Sequence, residues 1–299
     1  MKILVPVDGS KVSQAAVAFV ASRTSLIGTE PEVTLLNVQL PIPVRAARVV
    51  GKQVVKSYYA DEAAKALKSP TGMLRKAGLP AIAEHKVGHP AEEIAAVAER
   101  TGADLIVMGS HGRGTLTGLV MGSVTNAVLA RSRHAMLVLR DSHVARADSL
   151  KVGIAVDGSK FGREAVRYVI RHRNLFGAQP QITLLNVVPD FAGAVMPDMA
   201  GIALPAFSAE EVEAMQTKAF EAAVAPARKL LSRTGIATET VRLAGNAGDE
   251  LAAYARKKKL DVLVMGSHGY GAFKQAVMGS VATRVTAQCV TPVLLVRNA

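Results

Sequence analysis

Apolar positions along the chain fall into short continuous runs separated by longer segments of helical period. Lys2 to Val7 is a brief apolar run, and beyond Ser10 the residues Val12, Ala16, Phe19 and Val20 recur at helical spacing. Val33 to Val38 is a Leu-rich strand with β-branched ends. The mixed stretch up to about Ala77 reads as a loop and then a helix, stopped by Gly78-Leu79-Pro80. Ile82 to Val87 gives a third strand. Pro90 to Arg100 gives a helix with Pro at its start and Glu92 and Glu93 in its first turn, where acids complement the helix dipole. Asp104 to Met108 reads as a buried strand, Val120 to Ser132 as a helix, and Met136 to Arg140 as a last strand. Five strands alternating with four helices predict a parallel, doubly wound α/β sheet.

The pattern then starts again. VDGSK occurs at Val7 to Lys11 and at Val156 to Lys160, and TLLNV at Thr34 to Val38 and Thr183 to Val187, both pairs 149 residues apart. VMGSHG recurs at Val107 and Val264, and VMGSV at Val120 and Val277, both 157 apart. Four blocks in one order mark a tandem duplication with a net eight-residue insertion in the second copy. The Gly- and Pro-rich stretch Pro189 to Phe207 is the natural place for it, and the join falls at the short polar stretch Asp141 to Ser149. The expected domains are residues 1–142 and 149–299. A linker this short predicts copies that pack together.

Composition narrows the function classes. With seven Phe, five Tyr and no Trp, the core is aliphatic and aromatic platforms for single-stranded nucleic acid are not expected. The lone Cys289 leaves no internal disulfide and no zinc or redox cysteine pair, which fits a reducing cytosol. The apolar run at the start is too short for a signal peptide, and no stretch reaches the roughly 18 apolar residues of a membrane span. A cytoplasmic location and no membrane partner are the expectations. The net charge of +12 is spread over both halves, which suits a solvated surface or a small polyanion better than a nucleic-acid tract.

In an open parallel sheet a ligand sits beyond the carboxyl ends of the strands, where the winding direction switches. Two strand ends carry loop-forming and glycine residues: Pro6 to Ser10 after the first strand, and Met108 to Gly114 after the fourth. Glycines at 109, 112 and 122 followed by Ser123 give G-x2-G-x9-G-S, and Gly266, Gly269, Gly279 and Ser280 repeat it. Such a loop lets backbone N–H groups approach anionic oxygens, and a helix start adds unpaired donors and the positive dipole end. A tight turn alone would also explain the glycines. Asp8 and Asp157 each precede Gly-Ser and a helix, a position that suits a turn or N-cap residue as well as a ligand contact. His111 and His268 lack an orienting carboxylate in sequence and are read as backbone-led binding positions rather than general bases. His85 and His89 flank a strand end, where their spacing does not converge on a metal. Neither a P-loop nor a dinucleotide fingerprint is present after the first strand.

The glycine spacing, the V-D-G-S after the first strand and the L-L-N-V strand resemble the universal stress protein family in tandem form, over nearly the whole chain. The resemblance implies two Rossmann-like domains, each a five-stranded parallel sheet of order 3-2-1-4-5 with four helices. Its glycine motif is that of the ATP-binding branch, so the implied ligand is ATP, with or without Mg. Carried over by motif, Pro6, Asp8 and the backbone around Val38 hold the adenosine end. Met108, Gly109, Ser110, His111, Gly112 and Arg113, with Gly122, Ser123 and Val124, hold ribose and phosphates. The second copy supplies Asp157, Val187, Met265, Gly266, Ser267, His268, Gly269, Gly279, Ser280 and Val281. Pro6 becomes Ala155 and Thr125 becomes Ala282, so the second site is expected to grip phosphate less well. The resemblance implies a stress-response regulator with slow or no hydrolysis, and further pairing of tandem chains as a homodimer through last-strand edges. Two other readings stand beside it: a slow ATPase or phosphotransferase using Arg113 and Lys274, and a nucleotide-independent dimerisation module with structural glycines.

Overall fold

The structure is a computed structural model that describes residues 1–23, 31–112, 121–140, 149–188, 208–268 and 278–297. Arg113, Gly269, Lys274, the insertion stretch Pro189 to Phe207 and the join up to residue 148 lie outside the described residues. The first half runs β1 (Lys2–Pro6), α1 (Lys11–Ala21), β2 (Glu32–Gln39), α2 (Val44–Val50), α3 (Lys52–Lys76), β3 (Ala81–Val87), α4 (Pro90–Thr101), β4 (Leu105–Gly109), α5 (Ser123–Arg131) and β5 (Ala135–Leu139). The second half runs β6 (Lys151–Ala155), α6 (Lys160–Arg171), a short 3-10 turn, β7 (Gln181–Val188), α7 (Ala209–Ser232), β8 (Thr238–Ala244), α8 (Ala247–Lys258), β9 (Val262–Gly266), α9 (Ser280–Gln288) and β10 (Val293–Val296).

Each half is wound in the expected order, and the two sheets join into one ten-stranded sheet, β3-β2-β1-β4-β5-β10-β9-β6-β7-β8. Among the described residues the strands of each half pair in parallel, while β5 and β10 run antiparallel, with Leu137 opposite Leu294. Side chains alternate across the strands, so Ile3 and Val5 face one layer of helices and Leu4 the other. One layer is α1, α3, α6 and α7, the other α4, α5, α8 and α9, and each apolar layer is continuous across the join. This continuity follows from the apolar last strands: AMLVL of β5 and VLLV of β10 are fully buried.

Two further contacts fasten the halves. Arg140, just past β5, donates from Nε and Nη2 to the carbonyl of Thr286 in α9, at 3.1 and 2.7 Å. Tyr168 of α6 donates its hydroxyl to the Asp104 carbonyl at 3.1 Å, and its ring packs on His172 with centroids 4.5 Å apart. Burial pushes the Tyr168 phenol up and the His172 imidazole down from their ordinary ranges.

Two sequence expectations change. The stretch before Ala77, expected as a loop and then a helix, holds a short helix α2 as well as the long α3, the two separated at Gly51, whose φ of +86° a helix cannot contain. The expected pairing of separate chains through last-strand edges is corrected, because β5 and β10 already pair with each other inside one chain. A strand edge offers one row of backbone groups, and here that row is filled.

Candidate functional site

The first turn of the site is built by Asp8. Its Oδ1 accepts the Ser10 N–H at 2.9 Å, and Ser10 then caps α1 by accepting the Ser13 N–H at 3.1 Å. Asp8 is thus the turn residue and Ser10 the N-cap, an arrangement that Asp157 and Ser159 repeat in the second half. The same Asp8 carboxylate faces the loop after β4. A Cβ added at Gly112 would lie 2.7 Å from Asp8 Oδ2, so any side chain there would have to displace the Asp8 carboxylate.

Across the crevice, Gly122 forms the N-cap of α5 with no side chain to satisfy the first turn. Its own N–H donates to the Ser110 carbonyl at 2.7 Å, and a Cβ there would sit 2.9 Å from that oxygen. Gly122 therefore lines the cleft with its amide already engaged. The amides left for an anion begin at Ser123 and continue through Val124 and Thr125, all of which line the cleft. Thr125 is buried and its Oγ1 donates to the Gly109 carbonyl at 2.9 Å, pinning the β4 loop to the helix start. Ser110 is buried behind the cleft lining, with Oγ 2.8 Å from His111 Nδ1. The result is a helix N-terminus, uncapped by any side chain, aimed into a cleft: the geometry that binds anions.

The cleft encloses about 670 Å³, within the range of small-molecule sites. Of the residues expected in the first copy, Pro6, Asp8, Val38, Met108, Gly109, His111, Gly112, Gly122, Ser123 and Val124 line it. The sequence reading missed its opposite wall, Leu40 to Pro43 together with Tyr58 and Glu62 of α3. That wall is fastened by Tyr59, whose hydroxyl accepts the Ile42 N–H at 2.6 Å and whose carbonyl accepts Gln39 Nε2 at 2.8 Å. The signal was available: a Leu-Pro-Ile-Pro run directly after β2 lies at a strand's carboxyl end, beside the same crevice. Among the described residues no group of three or more His, Cys, Asp or Glu could hold a metal ion, and His85 and His89 sit apart on β3 and at the α4 cap.

The second half repeats the frame with different chemistry. Asp157 lies just past β6, Val187 lies on β7, Met265 and Gly266 end β9 with Ser267 and His268 directly after it, and Gly279, Ser280 and Val281 open α9, again without a side-chain cap. The Gly279 N–H is engaged by the Ser267 carbonyl at 2.8 Å, as in the first half. Ala282 has no hydroxyl to pin the loop as Thr125 does. Val12 of the first half is replaced by Phe161, whose ring packs on His268 at 5.2 Å. Asn37 donates to the Val7 carbonyl and accepts from Gln39; its counterpart Asn186 donates to Val156, but Val188 stands where Gln39 would be and Asn186 Oδ1 is buried without a hydrogen bond. The two crevices share a backbone plan and differ in their linings.

Comparison with known proteins agrees with the duplication. The model of the Universal stress protein family matches twice, at residues 1–140 and 150–297. A universal stress protein of Mycolicibacterium smegmatis is 27% identical over 99% of this chain and 96% of its own length. Another, from Mycobacterium tuberculosis, is 33% identical, but the match spans only 47% of this chain and 45% of the relative. The crystal structure of a universal stress protein from Archaeoglobus fulgidus shares the fold over 100% of this chain and 98% of its own, with a TM-score of 0.71 at 18% identity. With both halves matched and the whole architecture shared, this chain belongs to the universal stress protein family, carrying its domain twice.

Proposed function

We propose that the cleft of the first half binds ATP and that the chain is a cytoplasmic stress-response regulator with slow or no hydrolysis. The carrying observation is the uncapped start of α5 at the floor of a mainly apolar cleft. Amides of Ser123, Val124 and Thr125 face the place where phosphate oxygens would lie, held in position by Gly122 and Thr125. Asp8 and the Val38 backbone would take the adenosine end against the wall of Leu40 to Pro43, and Mg, if bound, would be held mainly by the phosphates. Apolar walls orient the base, and the helix dipole favours the anion by about 0.3–2 kcal/mol.

The domains 1–142 and 149–299 would each offer one site, and the second is the weaker. Loss of the Thr125 hydroxyl at Ala282 loosens its loop, and Phe161 fills the place of a smaller residue beside it. Protein purified under native conditions and then heat-denatured is expected to release adenine nucleotide, between one and two equivalents per chain. Absence of released nucleotide, together with no thermal shift in millimolar ATP, would reject the reading. Steady phosphate release faster than about 1 per second would favour the ATPase alternative.

A further inference from the structure

The segments that follow β2 and β7 occupy equivalent places in the repeat, yet they carry opposite charge. Between residues 33 and 60 there are four cations, Arg45, Arg48, Lys52 and Lys56, and no acid. Between residues 174 and 217 there are five acids, Asp190, Asp198, Glu210, Glu211 and Glu213, and no Lys or Arg. The helices of both segments, α2 with the start of α3 and the start of α7, stand clear of the core. No residue of α2 is buried, the first buried residue of α3 is Ala63, and the first of α7 is Val224. Apolar side chains accompany the charges: Val49 is 86% exposed and Val54 57% on the basic arm, and Met215 is 36% exposed on the acidic one. On the acidic arm, Glu213 is held by Arg242 and Glu221 by Arg228, and Glu211 caps its own helix, so Glu210 and Glu211 carry most of the outward field.

The two arms cannot neutralise each other within one chain. α3 packs on β2 and β3 and α7 on β7 and β8, at opposite ends of the ten-stranded sheet. At about 4.8 Å per strand those ends are roughly 40 Å apart. We propose that two chains form a closed reciprocal pair, the basic arm of each (α2 and the start of α3) docking on the acidic arm of the other (the start of α7). A two-fold axis makes the contact twice, so two modest patches sum toward the roughly 1,200–2,000 Å² of a stable interface. This pairing uses surfaces that the β5–β10 junction leaves untouched. It does not depend on a nucleotide.

The test is the mass of the nucleotide-free full chain in solution, by sedimentation or light scattering. At about 0.1 M salt a species of twice 31.3 kDa is expected, dissociating as salt rises and the charges are screened. R45E/R48E/K52E/K56E and E210K/E211K should each weaken the pair at least tenfold while leaving the fold intact by circular dichroism. Mixed together they should pair again, because the first variant carries two acidic arms and the second two basic ones. A wild-type monomer, an open series of larger species, or a dimer indifferent to both salt and charge reversal would overturn the proposal. Should a reversal variant fail to fold, the wild-type salt series and the neutral R45Q/R48Q pair decide the matter.

Discussion

At the scale of single residues, a few hydroxyls and one imidazole separate the two halves in behaviour. Thr125 and Ala282 stand at the same place, and only the former ties the phosphate-side loop to its helix. Such a bond contributes about 1 kcal/mol to holding the loop, enough to make one site tighter than the other. Cys289 is buried at the end of α9, and burial pushes its thiol up, which leaves it a packing residue. His172 makes stability depend on pH. Burial holds its folded-state pKa below the ordinary 6.5, with Asp104 partly opposing and Arg171 and the amino terminus assisting. The unfolded chain therefore binds a proton that the folded chain resists, so this contribution is complete above about pH 6.5 and lost as the pH falls. Thermal melts between about pH 7.5 and 5.5 should show the midpoint dropping, and His172→Phe, which keeps the ring against Tyr168, should flatten that drop. An unchanged slope in the variant would remove His172 from the account.

At the scale of elements, the succession of strands and helices along the chain was legible, α2 apart, because binary pattern and turn chemistry agreed. β4 and β9, with buried LIVMG and VLVMG runs, are the clearest instances. That the copies pack together was legible from the short linker; which strands join them was not. AMLVL and VLLV read as buried strands, but an apolar edge does not say whether its partner comes from its own chain or another. What settles it is a short linker and a pairing that only the fold brings together, with Arg140 reaching Thr286 across it. Arg140 is half-buried, and burial lowers its pKa, so removing the side chain leaves the Thr286 carbonyl short of two charged donors. Arg140→Ala should cost about 1.5–3 kcal/mol in urea unfolding. The continuous core further predicts one cooperative transition for both halves, and two separate transitions in the wild type would argue against a shared core.

At the scale of the whole molecule, the site was half legible. The motif residues at the ends of β1 and β4 line one cleft, because the winding rule places those strands side by side. The far wall from Leu40 to Glu62 and the Phe161–His268 contact escaped, because both depend on how a long helix and a side chain pack rather than on spacing. The central claim is that an anion is held by the start of α5 in the first half. Calorimetric titration of ATP into wild type, Ser123→Asp and Ser280→Asp tests it most directly. A carboxylate at a helix start suits the dipole, so Ser123→Asp should fold with an unchanged or slightly higher melting temperature. The same charge stands where phosphate would bind. The account predicts at least a tenfold loss of the tighter binding event in Ser123→Asp and its survival in Ser280→Asp; equal ATP affinity in Ser123→Asp and wild type would contradict it.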